Sequence, residues 1–258
     1  MLETKIRGLY NTFMFGHDER IIDELKKHFV HEDRVGYFKN RRFHCDGICC
    51  EATPGVLENV VLLLEKLKQE NQNIKLLNIG SGSSQFDRVI SFLNIDVYNT
   101  DIVIKNEDSH NKWCDLNLQN PIPYDEKFDV VLAQEVIEHL ENPWKFFRDL
   151  HSALKDNGCL IITTPNVASW HSKIKFLFGN HFNWFTPDCL SYHINPVAYW
   201  EIELIVEKTG FYLEKIIGSG DYFFARNKKK SKRQVISDNE GLIYFLRKPV
   251  RCVGTHQH

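Results

Sequence analysis

The spacing of apolar residues changes period along this chain, and each change marks an element. Between residues 55 and 70, Val56, Val60, Val61, Leu63, Leu64 and Leu67 recur at the interval of one helical face. The helical spacing then gives way to a continuous apolar run, Ile74-Lys75-Leu76-Leu77-Asn78-Ile79, cut off by Gly80-Ser81-Gly82. A short apolar run closed by glycine predicts a strand buried inside a parallel sheet. The alternation continues with a helix over 85–92, strands over 96–100 and 128–134, and a helix over 144–155 that Asp156-Asn157-Gly158 would cap. A strand over 159–164 is halted by Pro165, and Pro196 opens a helix that runs to Gly210. Two last runs, 211–217 and 222–225, read as strands joined around Gly218-Ser219-Gly220, so the sheet is expected to end in an antiparallel hairpin. Strands and helices in this order predict an α/β fold, a mostly parallel sheet with helices on both faces.

The segments outside this rhythm set the domain organisation. Residues 1–55 are dense in aromatic, histidine and charged side chains and read as a cap or lid on the substrate side. The repeating unit occupies 56–227. Within it, 166–195 form an insert carrying Trp170, His171, Phe176, Phe178, His181, Phe182, Trp184, Phe185 and Tyr192, more aromatic rings than a segment of that length needs for packing. Residues 228–258 begin with Lys228-Lys229-Lys230-Ser231-Lys232-Arg233 and read as a basic tail in water, with weak contact to an anionic membrane surface as its alternative use.

Composition narrows the class. At 258 residues, 43% hydrophobic and 26% charged, the chain has the make-up of one globular domain with an elaborated substrate side. A net charge of −2 supplies no general pull towards nucleic acid, which is not expected as a partner. No run approaches the roughly 20 apolar residues of a membrane span, and Met1-Leu2-Glu3-Thr4-Lys5 lacks a signal peptide's apolar core, so a cytoplasmic protein is expected. Cys45, Cys49, Cys50, Cys114, Cys159, Cys189 and Cys252 are odd in number and scattered, which favours reduced thiols over a disulfide framework. His44 and Cys45 with Cys49-Cys50 make a zinc site on paper, but their spacing is not that of paired metal ligands.

The chemistry concentrates at the first glycine turn. Gly80-Ser81-Gly82 lacks the third glycine of a dinucleotide fingerprint, since Ser84 and Gln85 follow, and no P-loop lysine is present. About one strand–helix unit later stands Asp101, where an acid can take ribose hydroxyls. A glycine turn plus that acid favours a nucleoside ligand without a pyrophosphate.

Taken together, these motifs resemble class I S-adenosylmethionine-dependent methyltransferases over residues 56–226. Leu76-Leu77-Asn78-Ile79-Gly80-Ser81-Gly82 is similar to the family's glycine motif, Asp101 to its ribose-binding acid, and Asp115-Leu116 to its adenine-side acid. Phe128-Asp129-Val130-Val131 with Glu135-Val136-Ile137-Glu138-His139-Leu140 resembles its fourth-strand motif, and 154–166 the turn and strand that follow. The chain departs from the pattern at Asn78, often an acid, and at Ser84, often glycine. The resemblance implies a Rossmann-like seven-stranded sheet and a cofactor site of Asn78, Gly80, Ser81, Gly82, Asp101, Ile102, Asp115, Leu116 and Gln134, with the methyl group directed towards 134–139 and the aromatic insert.

Transfer to a hydroxyl needs the acceptor's proton removed. His139 is the candidate base, with Glu138 and His193 as catalytic partners; a histidine that merely packs at a helix start is the plain alternative. The motif Glu135-x-x-Glu138-His139 is similar to those of quinone-biosynthesis O-methyltransferases and of RNA 2′-O-methyltransferases; in the RNA enzymes such residues and a distant histidine hold a divalent ion. That resemblance implies Glu135, Glu138, His139 and His193 as metal ligands, the first three expected on one side of a helical turn and His193 closing the set from the far loop. The text from Phe185 to Phe211 is closer to methyltransferases of bacterial surface-polysaccharide pathways, and aromatic loops suit sugar rings. The leading expectation is therefore O-methylation of a small polar acceptor such as a glycan sugar. Quinone-type or RNA methylation is the alternative within enzymes, and an inactive cofactor-binding scaffold the alternative outside them.

Overall fold

The computed structural model describes residues 35–38, 41–43, 56–82, 86–118, 122–221 and 231–250. Two short antiparallel strands, β1 (Val35–Phe38) and β2 (Arg41–Phe43), pair with each other in the N-terminal segment. The remainder of the expected cap, including the His44 and Cys45 cluster, lies outside the described residues.

The main sheet has seven strands in the order β5-β4-β3-β6-β7-β9-β8. Its parallel part comprises β3 (Lys75–Ile79), β4 (Asp96–Asp101), β5 (Asn111–Trp113), β6 (Phe128–Gln134) and β7 (Leu154–Pro165). Alternate side chains of these strands feed two cores, as the period of a strand requires. Leu76, Val130, Leu132 and Ile161 pack with α1 (Val56–Glu70) and α2 (Phe86–Ile90) on one face. Leu77, Val131, Ala133 and Ile162 pack on the other with α3 (Pro143–Ala153) and α5 (Tyr199–Thr209). Between them in sequence lies α4 (Trp170–Gly179), the helix of the aromatic insert. After β3 the chain builds outward through β4 to β5, and then returns to lay β6 on the opposite side of β3. That reversal leaves a crevice beyond the carboxyl ends of β3 and β6, where open α/β sheets bind ligands.

The C-terminal part departs from the expected tail. Residues 232–247 form α6 (Lys232–Asp238), opened by a capping box between Ser231 and Gln234, and β9 (Asn239–Arg247). β9 lies between β7 and β8 (Tyr212–Asp221), antiparallel to both. The closing antiparallel pair is thus β8 with β9, while 222–225, expected to supply its second strand, lies outside the described residues. Gly218-Ser219-Gly220 is not a turn but part of β8, because Gly218 is there for space: a Cβ at that position would sit 2.2 Å from the amide carbon of Asn239. Five charges in six residues, Lys228 to Arg233, concealed a segment whose following stretch, Leu242-Ile243-Tyr244-Phe245-Leu246, is buried.

The helix before β7 also ends earlier than expected, at Ala153, with Leu154 already extended. Lys248, nearly buried at the end of β9, donates from Nζ to the carbonyls of His151 (2.9 Å) and Leu154 (2.8 Å), supplying the cap that Asn157 and Gly158 were expected to give. Asn157 instead adopts φ 62° inside β7, where its N–H donates to the Lys248 carbonyl at 2.9 Å. Cys114, Cys159 and Cys189 are free thiols, and no helix among the described residues is long and apolar enough to cross a membrane.

Lys248→Met keeps the aliphatic stem and removes the charged donor, and should destabilise the domain by about 1.5–3 kcal/mol, the scale of hydrogen bonds to a charged group. Urea unfolding measures this; an unchanged midpoint would mean that water serves the end of α3 equally well.

Candidate functional site

The site occupies the carboxyl ends of β3, β4, β5 and β6, each side chain being placed by the strand that precedes it. Beyond β3, Gly80 and Gly82 turn the chain with φ of 69° and 57°, values that few other residues adopt without strain. The two glycines have different reasons. A Cβ at Gly82 would meet nothing within 4 Å, so its face is open, whereas one at Gly80 would lie 2.3 Å from Cγ2 of Val136. The expected backbone approach to a ligand applies to the open Gly82; Gly80 lets the turn press against the segment following β6.

Asp101 ends β4 and is already oriented by backbone. Its Oδ2 accepts from the Gly82 N–H at 2.8 Å and its Oδ1 from the Val103 N–H at 3.0 Å, leaving other lone pairs for a ribose. Ile102 is exposed beside it. Asp115 closes an Asx turn through Asn117 N–H (2.9 Å) at the end of β5, and Leu116 packs on the core below. Asn78, by contrast, is spent internally: it is buried, and its Nδ2 donates to Asn99 Oδ1 at 3.2 Å, which in turn donates to Asp87 and Asn111. Ser81 Oγ and Gln134 Oε1 are buried and have no hydrogen-bond partner among the described residues. Unpaired polar atoms of this kind cost free energy unless something fills the cleft. Ser81 and Gln134 flank the crevice between β3 and β6, so the cradle fits a polar nucleoside ligand.

Beyond Gln134 the chain does not form the expected helical turn. Glu135 takes φ 51°, and Ile137–His139 make a single 3₁₀ turn. The Glu135 N–H bonds back to the Thr163 carbonyl (3.1 Å) and hydroxyl (3.0 Å), and the same hydroxyl donates to Glu135 Oε1 at 2.7 Å. Burial pushes the Glu135 carboxyl up to about 7. Glu138 is fully buried: Oε2 accepts from Thr164 Oγ1 at 3.1 Å, while Oε1 has no partner. Burial first, and the charge of Glu135 second, hold it well above the usual carboxylate range.

His193 arrives from the aromatic insert. Asn195 clamps the end of that insert to the 3₁₀ turn, its N–H donating to the Glu138 carbonyl (3.0 Å) and its Nδ2 to the Leu140 carbonyl (3.1 Å). The rings of His139 and His193 then stand 4.8 Å apart. His139 Nδ1 contacts the Tyr192 carbonyl at 2.8 Å and His193 Nδ1 the Trp184 carbonyl at 2.5 Å. A carbonyl only accepts, so both Nδ1 atoms carry the proton and both Nε2 atoms keep their lone pair when the rings are neutral. Ligand atoms of Glu138, His139 and His193 all lie within 4.8 Å of one another. One buried orphan carboxylate oxygen and two imidazoles with oriented outer nitrogens fit a divalent cation. Glu135, expected as a fourth ligand, is turned to Thr163 and stands outside this trio.

Thr163, Thr164 and Asn195 position the cluster without a motif that would have marked them. Asn117 adds a tie, donating from Nδ2 to the His139 carbonyl at 3.3 Å and accepting the Glu141 N–H at 2.9 Å. Trp184 combines φ 68° with a buried indole N–H that lacks a partner.

A family model described as a methyltransferase domain matches residues 52–216. The mitochondrial ubiquinone biosynthesis O-methyltransferase of Rattus norvegicus is 27% identical over 159 residues, covering 56% of this chain and 46% of that protein. The ubiquinone biosynthesis O-methyltransferase of Rickettsia typhi is 30% identical over 129 residues, covering 45% of this chain and 51% of that one. The chain thus spans about half the length of the curated relatives it matches. Among solved structures, a S-adenosylmethionine-dependent methyltransferase from Clostridium acetobutylicum superimposes with a TM-score of 0.53 at 12% identity, over 75% of this chain and 92% of that one, a likeness of fold.

The raised carboxyl pKa values have a signed consequence for stability. Between about 4.5 and about 7 the folded protein keeps a proton on Glu135 that the unfolded chain releases, so stability is greatest on the acid side of that window and falls as pH rises through it. Glu240, pushed up to about 7 by burial, adds to the same slope. Urea midpoints across this range should therefore fall with pH, less steeply in Glu135→Gln; an identical slope in the variant would mean that Glu135 is ionised throughout.

Proposed function

The chain belongs to the methyltransferase-domain family of class I S-adenosylmethionine-dependent enzymes, and from that premise we propose that it transfers the cofactor's methyl group to a hydroxyl oxygen of a small acceptor, in a cytoplasmic setting. The observation that carries this reading is the trio Glu138, His139 and His193, built at the end of β6 beside the cofactor crevice. A ring hydroxyl, as in a quinone precursor, is the acceptor class that the names of the relatives favour. The glycan acceptor expected from the aromatic insert finds no support among them.

In this reading the Gly80–Gly82 turn and Asp101 seat the nucleoside, and Ser81 and Gln134 offer it their unpaired oxygens. The acceptor oxygen attacks the methyl carbon from the side opposite sulfur, whose bond electrons return to it as the sulfonium becomes a neutral thioether. Alignment is the main demand of such a displacement. His139 Nε2 takes the acceptor's proton, its ring held in the right tautomer by the Tyr192 carbonyl. In the alternative use of the same atoms, Glu138, His139 and His193 would hold a divalent cation, His139 Nε2 then being a ligand rather than the base, and the cation when bound would supply Lewis-acid lowering of the hydroxyl's pKa. Glu138 is the residue whose charge state this changes, since a cation favours its ionised form against the burial that opposes it.

Calorimetry should show the demethylated cofactor binding to the wild type and weakened by about 1.5–3 kcal/mol in Asp101→Ala. An unchanged dissociation constant would place the ribose elsewhere.

Product mass after incubation with S-adenosylmethionine and a catechol should show one added methyl group. His139→Ala should lower that turnover by about 10²–10⁴-fold while cofactor binding survives. Turnover lost in excess chelator and regained with divalent ion, with His193→Ala inactive, would assign the trio to a metal. Turnover that persists in chelator but dies in His139→Ala leaves the general base alone, and no methylated catechol or sugar from cofactor-bound protein would defeat the proposal.

A further inference from the structure

The helix of the aromatic insert is inside out. Four of its large side chains, Trp170, Ile174, Leu177 and Phe178, follow the i, i+4, i+7, i+8 spacing of one apolar face, yet that face points to water, with exposures of 62%, 53%, 73% and 83%. The one buried residue of α4 is Ser172. Polar groups hold the helix to the body: Ser169 accepts the Ser172 N–H at 3.1 Å, Ser172 Oγ accepts the Asn183 N–H at 3.0 Å, and Lys175 Nζ donates to Asn183 Oδ1 at 2.6 Å. His171 Nδ1 lies 3.5 Å from Glu240 on β9. A stack of Phe176 on Phe182, 4.6 Å between ring centres, ties the far end to the following loop. The exposed stripe is therefore held outward by the polar side of the helix.

We propose that this face docks the protein on an anionic lipid bilayer, with α4 lying in the headgroup region and its apolar stripe inserted. Charge complementarity selects that occupant. No acidic residue occurs from 166 to 187, a stretch that contains Lys173 and Lys175, in a chain whose net charge is −2. Lys173 Nζ lies 5.3 Å from the Trp170 ring centre, so the ammonium sits alongside the aromatic, where a headgroup phosphate meets it as the indole enters the interface. Tryptophan and phenylalanine with flanking lysine are the side chains that interfacial helices use. Residues 1–55, with nine acidic against nine basic side chains, offer no matching charge. The patch also leads to the trio: Leu190, Tyr192 and Ile194, next along the same insert, are exposed around His193. This assignment does not depend on which acceptor is methylated.

The test is co-sedimentation of the full chain with vesicles of phosphatidylcholine alone and of phosphatidylcholine with phosphatidylglycerol. The expected result is partition onto the anionic vesicles, reduced at least tenfold on neutral ones and at least tenfold in Leu177→Glu/Phe178→Glu. Both residues are exposed, so the variant should bind S-adenosylmethionine and unfold in urea as the wild type does. Lys173→Glu should weaken the anionic preference alone. Absence of wild-type partition onto any vesicle, or partition unaltered in the double variant, overturns the proposal. So does sedimentation velocity showing a dimer that the double variant dissociates without any vesicle binding, since the occupant would then be a second copy.

Discussion

The distance between the cofactor turn and the acidic turn is set by one contact, Gly80 against Val136. Gly80 follows β3 and Val136 follows β6, and these two strands are hydrogen-bonded neighbours that diverge in the order of the sheet. Because a Cβ on Gly80 would overlap the valine methyl, the glycine is a condition of the two turns lying together at all. Everything the site does depends on that closeness. The glycine turn lies on one side of that contact and Glu138 with His139 on the other, and a displacement of about 1 Å between them would spoil the alignment a methyl transfer needs.

The second constraint is the cost of the acidic pair. Two carboxyls placed out of water beside each other cannot both ionise cheaply, and the fold meets this with hydroxyls rather than cations: Thr163 serves Glu135 and Thr164 serves Glu138, from neighbouring positions on β7. One oxygen of Glu138 is left unserved. A buried carboxylate oxygen without a partner, beside two imidazole lone pairs, is the feature that points to something arriving from outside, a proton or a cation.

Much of this was legible in the sequence, and the failures share a cause. The strands expected over 128–134 and 96–100, the latter one residue short of the observed end at Asp101, and the glycine turn were readable because period and punctuation agree there. The conformation after Gln134 was not, since residues three apart that converge on a helix also converge through a left-handed Glu135 and a 3₁₀ turn. The C-terminal strand was misread because Lys228 to Arg233 looked like the start of a solvated tail, although Leu242 to Leu246 carries the apolar content of a central strand. Gly218-Ser219-Gly220 spelt a turn, but the glycine there makes room for Asn239, a partner 21 residues on that no local rule could identify. His193 could be named from sequence, while its route to the cluster, through Asn195 and the carbonyls of Trp184 and Tyr192, depended on tertiary contacts.

The acceptor class and the need for a cation are linked by magnitude. A phenolic hydroxyl titrates near ~10 and a free imidazole near ~6.5, so passing the proton to histidine is uphill by about 5 kcal/mol. Turnover of about 10 per second tolerates a total barrier of about 16 kcal/mol, which leaves room for the displacement itself. An aliphatic hydroxyl is a far weaker acid than a phenol, so the same transfer climbs higher and takes up more of that allowance. A ring hydroxyl can therefore pass its proton to an imidazole base within that allowance, whereas a weaker acid gains more from a cation of the kind that Glu138, His139 and His193 could hold. Metal dependence and acceptor acidity are thus one question: the weaker the acid the enzyme methylates, the more its buried carboxylate must be paired with a positive charge.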